Sequence, residues 1–219
     1  MINTLIMLLK RANPKTKKLL KLTGSDRKLR LLAADRAFLK DLSRLQILSD
    51  RIAIQNHYRH LKGGAVRSLG RLEAAGIIVG RKFYIPRRGF VKIYQFSSDA
   101  MARAWGGRLP AIGAKRNELH ELITSELYYK IGKPEDFRLA HQLTNDELST
   151  FNGHRPDAVF TDTATGQPVA VEADSGHYNK QQVMTKLAKW KGLRQVWGQP
   201  ERVSARIPSF TNVAVHVLK

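Results

Sequence analysis

The chain has 219 residues, 42% of them hydrophobic, which is enough for one large domain or two small ones with apolar cores. It contains no cysteine, so disulfides and thiolate zinc sites are excluded and a reduced, cytoplasmic compartment is favoured. The net charge of +20 is uneven: residues 1–100 carry 22 Lys and Arg against 6 Asp and Glu, whereas residues 101–219 carry 16 against 12. A strongly basic half joined to a nearly balanced half favours a nucleic-acid-binding module attached to a second domain.

Solubility or attraction to anionic lipid would also account for the basic charge. No membrane partner is expected, because the sequence has no long basic helix with bulky aromatic residues on one face. The apolar run Met1–Leu9 is too short to span a bilayer. The dense basic stretch Lys10–Lys28 predicts either an N-terminal arm that orders on a phosphate backbone or a solvated helix face.

Apolar spacing predicts three helices in the rest of the basic half, over residues 30–48, 47–60 and 65–75. In the third helix, Val66, Leu69 and Leu72 form the predicted buried stripe, Ser68 lies outside it, and Gly76 is the C-cap. A further helix is predicted over residues 97–105.

A two-stranded hairpin lies between these helices, with strands over residues 77–85 and 90–96 and a basic turn at Pro86–Gly89. Helices followed by such a hairpin resemble the winged-helix group, and Val66–Ile78 resembles its recognition helix and first wing strand. The resemblance implies double-stranded DNA as the partner, with Arg67 and Arg71 in a major groove and Arg87 and Arg88 on the backbone or minor groove. Winged helices also serve as protein-interaction modules, in which such arginines are merely solvated.

The Gly- and Pro-rich segment 106–114 predicts a linker, which divides the chain into domains at residues 1–105 and 115–219. The second domain begins with a predicted helix over residues 117–131, with Asn117 as the better N-cap. Glu126 falls inside the apolar stripe of this helix, which favours a metal-binding or catalytic role. The alternative is that Glu126 lies at the stripe edge and reaches water.

Two apolar, β-branched runs that each hold acids follow a predicted first strand at residues 137–143. They are Arg155–Phe160, with Asp157, and Val169–Asp174, with Glu172 and Asp174. The polar connection between the runs predicts a β-hairpin with acids on both strands. Carboxylates are costly in apolar strands unless something compensates them, and acids at adjacent strand ends suit Mg²⁺ or Mn²⁺.

A helix over residues 179–195 and a last strand over 213–218 complete the predicted elements. This order resembles the core of the PD-(D/E)XK nuclease superfamily and implies an α+β or α/β fold with a mixed central sheet flanked by helices. Asp157 matches its Pro-Asp pair and Glu172 the first acid of its second half-motif. Asp174 stands where that pattern has lysine; in some members the lysine comes from the following helix, which makes Lys186 the candidate, with Lys180 behind it. Alternatively, Asp174 adds a third metal ligand.

A basic winged helix is followed in the second half by His120, Glu126, Pro156-Asp157, Glu172-Ala-Asp174-Ser-Gly, Lys186 and Trp190. This combination resembles the replication-relaxation group, and within it the MobC-type plasmid mobilization relaxases, over roughly residues 30–219. The resemblance implies a Mg²⁺- or Mn²⁺-dependent nuclease of the bacterial cytoplasm that nicks one DNA strand at a plasmid transfer origin, with accessory mobilization proteins as further partners. Two alternatives stay open: a non-catalytic replication or transfer regulator with a degenerate nuclease fold, and a restriction-type nuclease that cuts both strands.

Several other polar residues near the predicted site have open roles. A tyrosine nucleophile would give a covalent intermediate, but nothing in the sequence singles out one of Tyr128, Tyr129 and Tyr178. His120 and His177 are candidate bases or hydrogen-bond donors, although a lone histidine is more often an ordinary surface or core residue.

Overall fold

The computed structural model describes residues 31–61, 63–85, 88–109, 118–152, 154–200, 207 and 212–218. These residues fall into two compact units, one within residues 1–83 and 92–112, the other within 84–91 and 113–219. The predicted arm at residues 10–28, the cap Asn117, and part of the predicted linker lie outside the described residues. No helix among the described residues is long and apolar enough to cross a bilayer.

The first unit combines helices with a three-stranded sheet. Its helical elements are α1 (Ala33–Leu45), α2 (Asp50–Ala53) continuing into a π-helical turn (Ile54–Tyr58), α3 (Gly64–Ala74) and α4 (Asp99–Ala104). Its strands are β1 (Leu48–Ser49), β2 (Ile78–Ile85) and β3 (Gly89–Phe96), in the order β1-β3-β2. The outer end of the β2–β3 hairpin is grouped with the second unit.

The second predicted helix is shorter than expected because the chain first pairs as a strand. Leu48 and Ser49 lie opposite Tyr94 and Ile93 of β3 in an antiparallel pair. The Ser49 side chain then accepts a hydrogen bond from the backbone N–H of Ile52 and so caps α2. Helix formation therefore begins only after the strand pair ends.

The buried stripe of α3 differs from the prediction. Val66, predicted to be buried, is 79% exposed, whereas Ser68, predicted to lie outside, is buried beside Leu69 and Leu72. The buried face is set by Ala65, Ser68, Leu69 and Leu72, whose spacing of three and four residues defines one side of a helix. The small polar Ser68 is thus buried in the core, whereas Val66, which would be expected there because it is hydrophobic, is exposed.

The second unit contains a five-stranded mixed sheet with helices. Its strands are β4 (Arg138–Leu139), β5 (Ala158–Thr161), β6 (Pro168–Ala173), β7 (Arg194–Pro200) and β8 (Val213–Leu218), adjacent in that order. Its helices are α5 (Glu118–Lys130), a 3-10 turn (Ala140–Gln142), α6 (Asn145–Ser149) and α7 (Lys180–Lys189). Strands β4 to β6 are antiparallel and β6 to β8 are parallel. The mixed α+β class predicted from the sequence is confirmed.

Helices α5 and α7 lie on opposite faces of this sheet. Trp197 of β7 is in the core cluster with Leu187 of α7. The next residue, Gly198, lies so close to α5 that a Cβ there would be 2.6 Å from Leu127 side-chain carbons. Since neighbouring residues of a strand point to opposite faces, the two helices flank the sheet.

One strand and one helix of this unit are shorter than the sequence predicted. The predicted strand over residues 137–143 is only two residues long, because Ala140 begins a 3-10 turn. The helix predicted to reach residue 195 ends at Lys189, Gly192 takes a left-handed conformation with φ of 91°, and the unpredicted strand β7 starts at Arg194. The chain therefore returns to the sheet earlier than apolar spacing indicated.

Candidate metal centre

The two acids expected to meet do lie at the same end of neighbouring strands. Ala158 pairs with Val171, so Asp157, just before β5, lies beside the end of β6 that carries Glu172. The backbone N–H of Asp157 donates to the carbonyl of Val171 (3.0 Å), and the Asp157 carboxylate Oδ2 accepts from the N–H of Ala173 (2.8 Å). Strand pairing itself thus fixes the position of the Asp157 carboxylate.

His120 of α5 joins the two acids. Its Nε2 is 2.8 Å from Oδ2 of Asp157. One ligand atom from each of His120, Asp157 and Glu172 can be chosen so that all three lie within 4.8 Å of one another. Two carboxylates and an imidazole this close form a set that can hold a divalent cation. Sequence reasoning treated His120 only as a possible base or donor and did not include it among the ligands.

Lys186 of α7, the lysine that the superfamily resemblance made a candidate, reaches Glu172. Its Nζ forms an ion pair with Oε1 of Glu172, a carboxylate that is completely buried. It also donates to the hydroxyl of Tyr178 (2.8 Å), and that hydroxyl donates to Oε1 of Glu172 (2.9 Å). The other candidate, Lys180, is exposed at the first residue of α7.

Two buried carboxylate oxygens at this end of the sheet have no hydrogen-bond partner among the described residues. They are Oε2 of Glu172 and Oδ2 of Asp174, and both residues are 0% exposed. The other oxygen of Asp174 accepts from the N–H of Gly176 (2.7 Å). A buried acceptor without a donor is costly, and a divalent cation removes that cost by direct coordination. The residues present therefore fit Mg²⁺ or Mn²⁺, both of which favour oxygen ligands.

The electrostatics of the cluster are dominated by burial and by the mutual repulsion of acids. Burial and the negative charge of Asp157 raise the pKa of Glu172 to about 8, although Lys186 and Tyr178 oppose this rise. Burial lowers the pKa of His120, but its hydrogen bond with Asp157 and the charges of Asp157 and Glu172 outweigh burial, so the pKa of His120 lies above its ordinary value. Protons thus remain on the cluster at a pH where isolated side chains would have released them.

Tyr178 is the one of the three candidate tyrosines whose hydroxyl contacts Glu172. Burial and the charge of Glu172 raise the pKa of Tyr178 further above its ordinary value. Tyr128 and Tyr129 stack edge-to-face against each other on α5. His177, the other candidate histidine, is exposed.

Glu126 is not part of the group formed by His120, Asp157 and Glu172. Its carboxylate forms an ion pair with Arg88, with Nη1 of Arg88 3.0 Å from Oε1 of Glu126. The group of ligand atoms found within 4.8 Å comprises His120, Asp157 and Glu172. The charge of the partly buried Glu126 is therefore compensated by Arg88. Arg88 is also one of the arginines that were expected to contact DNA.

The other arginines expected to contact DNA differ in their surroundings. Arg67 is exposed on α3. Arg71 is half-buried, and its Nη2 is 2.5 Å from Oδ2 of Asp35, a completely buried carboxylate that also accepts from Tyr58 and from the N–H of Leu32. Arg71 is therefore held by a structural ion pair. Arg87 lies outside the described residues.

The sequence and the structure were compared with protein-family models, curated proteins and solved structures, and none of these comparisons gave a match.

Proposed function

We propose that this chain is a Mg²⁺- or Mn²⁺-dependent DNA endonuclease that nicks one strand of duplex DNA. We further propose that it acts as a relaxase at a plasmid transfer origin in the bacterial cytoplasm, assisted by accessory mobilization proteins. A PD-(D/E)XK-like core for the second unit is supported by its element order: α5, the antiparallel strands β4 to β6, α7, and then β7 parallel to β6. A winged-helix fold for the first unit is supported by three helical segments followed by the β2–β3 hairpin.

The observation that carries the nuclease proposal is the pair of buried carboxylate oxygens left without donors at Glu172 and Asp174. Glu172 belongs to the group of three residues, with His120 and Asp157, whose ligand atoms lie within 4.8 Å of one another, and Asp174 follows the last residue of β6. Each buried oxygen without a partner costs about 1–3 kcal/mol, although the other oxygen of each carboxylate accepts a hydrogen bond, and a protein keeps such a cost where function requires it. A divalent cation is the compensating group that this donor set suits.

Each residue has a defined role in this proposal. Asp157, Glu172 and His120 would hold the cation, and Asp174 would add a further carboxylate oxygen. A bound cation of this kind polarises the scissile phosphate and lowers the pKa of an attacking water. Lys186, whose Nζ forms an ion pair with Glu172, would stabilise negative charge developing on the phosphoryl oxygens.

Duplex binding is assigned to the basic half. Residues 1–100 carry a net charge of +16, which favours contacts to phosphates. Arg67 projects from the exposed side of α3 and is the best candidate for a direct contact. Arg71 and Arg88 would have to leave Asp35 and Glu126 before they could reach DNA, so their expected contributions are smaller.

The test is incubation of supercoiled plasmids, with and without the transfer origin, in Mg²⁺ or Mn²⁺. Wild type should convert the origin plasmid to open circles, and Asp157→Ala and Glu172→Ala should not, while both still shift DNA on a gel. The exposed Glu135→Gln is the matched control, because it removes one acid of the same unit outside the cluster. Normal nicking by both alanine variants would refute the site. Full linearisation would instead support a restriction-type nuclease.

A second candidate function is a non-catalytic DNA-binding regulator. Asp174 at the position of the expected lysine favours it, as does the Lys186–Glu172 ion pair, which partly compensates Glu172 without a metal. In that case wild type would bind DNA but leave supercoiled plasmid intact with either cation, and calorimetry would detect no Mn²⁺ binding.

A further inference from the structure

The outer end of the β2–β3 hairpin carries two exposed aromatic side chains that the proposed function does not use. Tyr84 of β2 and Phe90 of β3 are 57% and 72% exposed. Their ring centroids are 5.3 Å apart, and the ring planes are inclined at 60°. The two rings therefore form one exposed unit, the aromatic tip (Tyr84 and Phe90).

Exposure of these rings leaves a gain in free energy available to a binding partner. Burial of a phenylalanine side chain is worth about 1.5–3 kcal/mol relative to exposure. Isolated exposed apolar residues are common, but here two exposed aromatic rings contact each other.

The charge of the hairpin identifies the class of partner. Residues 78–96 hold five Lys and Arg and no Asp or Glu. Two of these five, Arg88 and Lys92, are offset by ion pairs with Glu126 and Glu73. Lys82 is exposed two residues before Tyr84, on the same face of β2. A partner that suits a basic surface with exposed aromatic rings must offer both negative charge and flat apolar groups. Nucleic acid with unstacked bases meets both requirements.

We propose that the aromatic tip binds single-stranded DNA by stacking on unpaired bases. In a duplex the bases are stacked and expose only their edges in the grooves, whereas an unpaired base can present its flat face to an aromatic ring. Because the two rings are inclined at 60° to each other, each has its own surface to offer to a base. The proposal shares only the nucleic-acid partner with the nuclease function, and it requires no metal.

The test compares single-stranded and duplex binding in EDTA by fluorescence anisotropy. The probes are a labelled oligothymidylate and a labelled duplex of the same length. The double variant Tyr84→Ala/Phe90→Ala removes both rings, and Phe90→Trp keeps a stacking surface. Val79→Ala is the matched control, since Val79 is an exposed apolar residue of β2 on the opposite face. Circular dichroism and thermal melting check that each variant folds.

Removal of the rings should weaken oligothymidylate binding by about tenfold per ring, because base stacking on an aromatic side chain is worth about 1–3 kcal/mol. Duplex affinity and the salt dependence of binding should not change, since the rings displace no counterions. Phe90→Trp and Val79→Ala should bind like wild type. The proposal is overturned if wild type does not bind oligothymidylate, if the double variant binds it normally, or if the loss is equal for both probes or confined to the duplex. Absence of nicking would leave it intact.

Discussion

Metal affinity should depend steeply on pH if Glu172 holds the cation. Its carboxyl has a pKa of about 8 in the metal-free protein, whereas coordination needs the carboxylate. Below about pH 8, each bound ion must displace one proton, so the dissociation constant should rise about tenfold per pH unit. The pKa of His120 also lies above its ordinary value, and a ligand nitrogen must be unprotonated. At lower pH a second proton is displaced, and the dependence should approach about a hundredfold per unit.

Isothermal titration with Mn²⁺ in buffers of different ionisation enthalpy measures both the affinity and the number of protons released. We expect about one proton per ion near pH 7, approaching two at lower pH. Glu172→Gln should lose both the binding and the proton release, whereas Glu135→Gln should match wild type. His120→Ala should bind Mn²⁺ more weakly, because it removes a ligand, and should release about one proton per ion at lower pH instead of two. Constant affinity from about pH 6 to about pH 9, or binding without proton release, would show that Glu172 is not a ligand.

Three further predictions concern the metal-free protein. First, because native Glu172 keeps a proton that the unfolded chain loses near pH 4.5, stability in EDTA should fall by a few kcal/mol as pH rises from about 5 to about 8, and Glu172→Gln should remove most of this fall in urea titrations; an unchanged pH profile would contradict the assignment. Second, Arg71→Ala should destabilise the fold by about 2 kcal/mol, less than a fully buried pair because Arg71 is partly exposed, whereas Arg67→Ala should leave the melting temperature unchanged and weaken duplex binding; equal melting temperatures would argue against the Asp35 pair. Third, Gly198→Ala should cost about 1–3 kcal/mol, since its Cβ meets the buried side chain of Leu127, and the same substitution at Gly70, where a Cβ meets nothing within 4 Å, should be neutral or stabilising; a neutral Gly198→Ala would show that α5 can shift away.

The acidic pair could be predicted because local sequence determines its position. Each strand is a short β-branched run with polar residues between them, and an antiparallel hairpin necessarily brings the start of one strand beside the end of the next. Asp157 and Glu172 therefore meet whatever the rest of the fold does. Lys186 became a candidate through the superfamily resemblance, and its place beside Glu172 agrees with its position on α7 between the buried residues Val183 and Leu187.

The roles of His120 and Glu126 could not be separated from the sequence, because they depend on how α5 packs. Both lie on one helix, six residues and therefore about 9 Å apart along its axis. Periodicity indicates which side of a helix is buried but not which end lies over the acids. The packing of Leu127 against Gly198 fixes that position, with the result that His120 reaches Asp157 while Glu126 pairs with Arg88.

Strand β7 was missed because one of its core residues is polar. Gln195 is 1% exposed, and its amide donates to the carbonyls of Leu187 and Trp190 at the end of α7. Its side-chain oxygen accepts from the indole N–H of Trp197 (3.1 Å). A buried glutamine that satisfies helix-terminal carbonyls looks like a surface residue to any criterion based on hydrophobicity.

Asp174, which stands where the PD-(D/E)XK pattern has a lysine, adds a negative charge close in sequence to Glu172. With three ionised carboxylates at Asp157, Glu172 and Asp174, one lysine at Lys186 and a neutral His120, the cluster would carry a formal charge of −2. Glu172 and Asp174 are completely buried, and such a charge cannot persist there without compensation. In the metal-free protein, burial and the charge of Asp157 raise the pKa of Glu172, so the proton that Glu172 keeps removes one of these charges. One divalent cation would balance a charge of −2 in full. Asp174, which stands in place of the expected lysine, therefore strengthens the case for a metal site. This argument requires that Lys186 carries out the role of that lysine from α7.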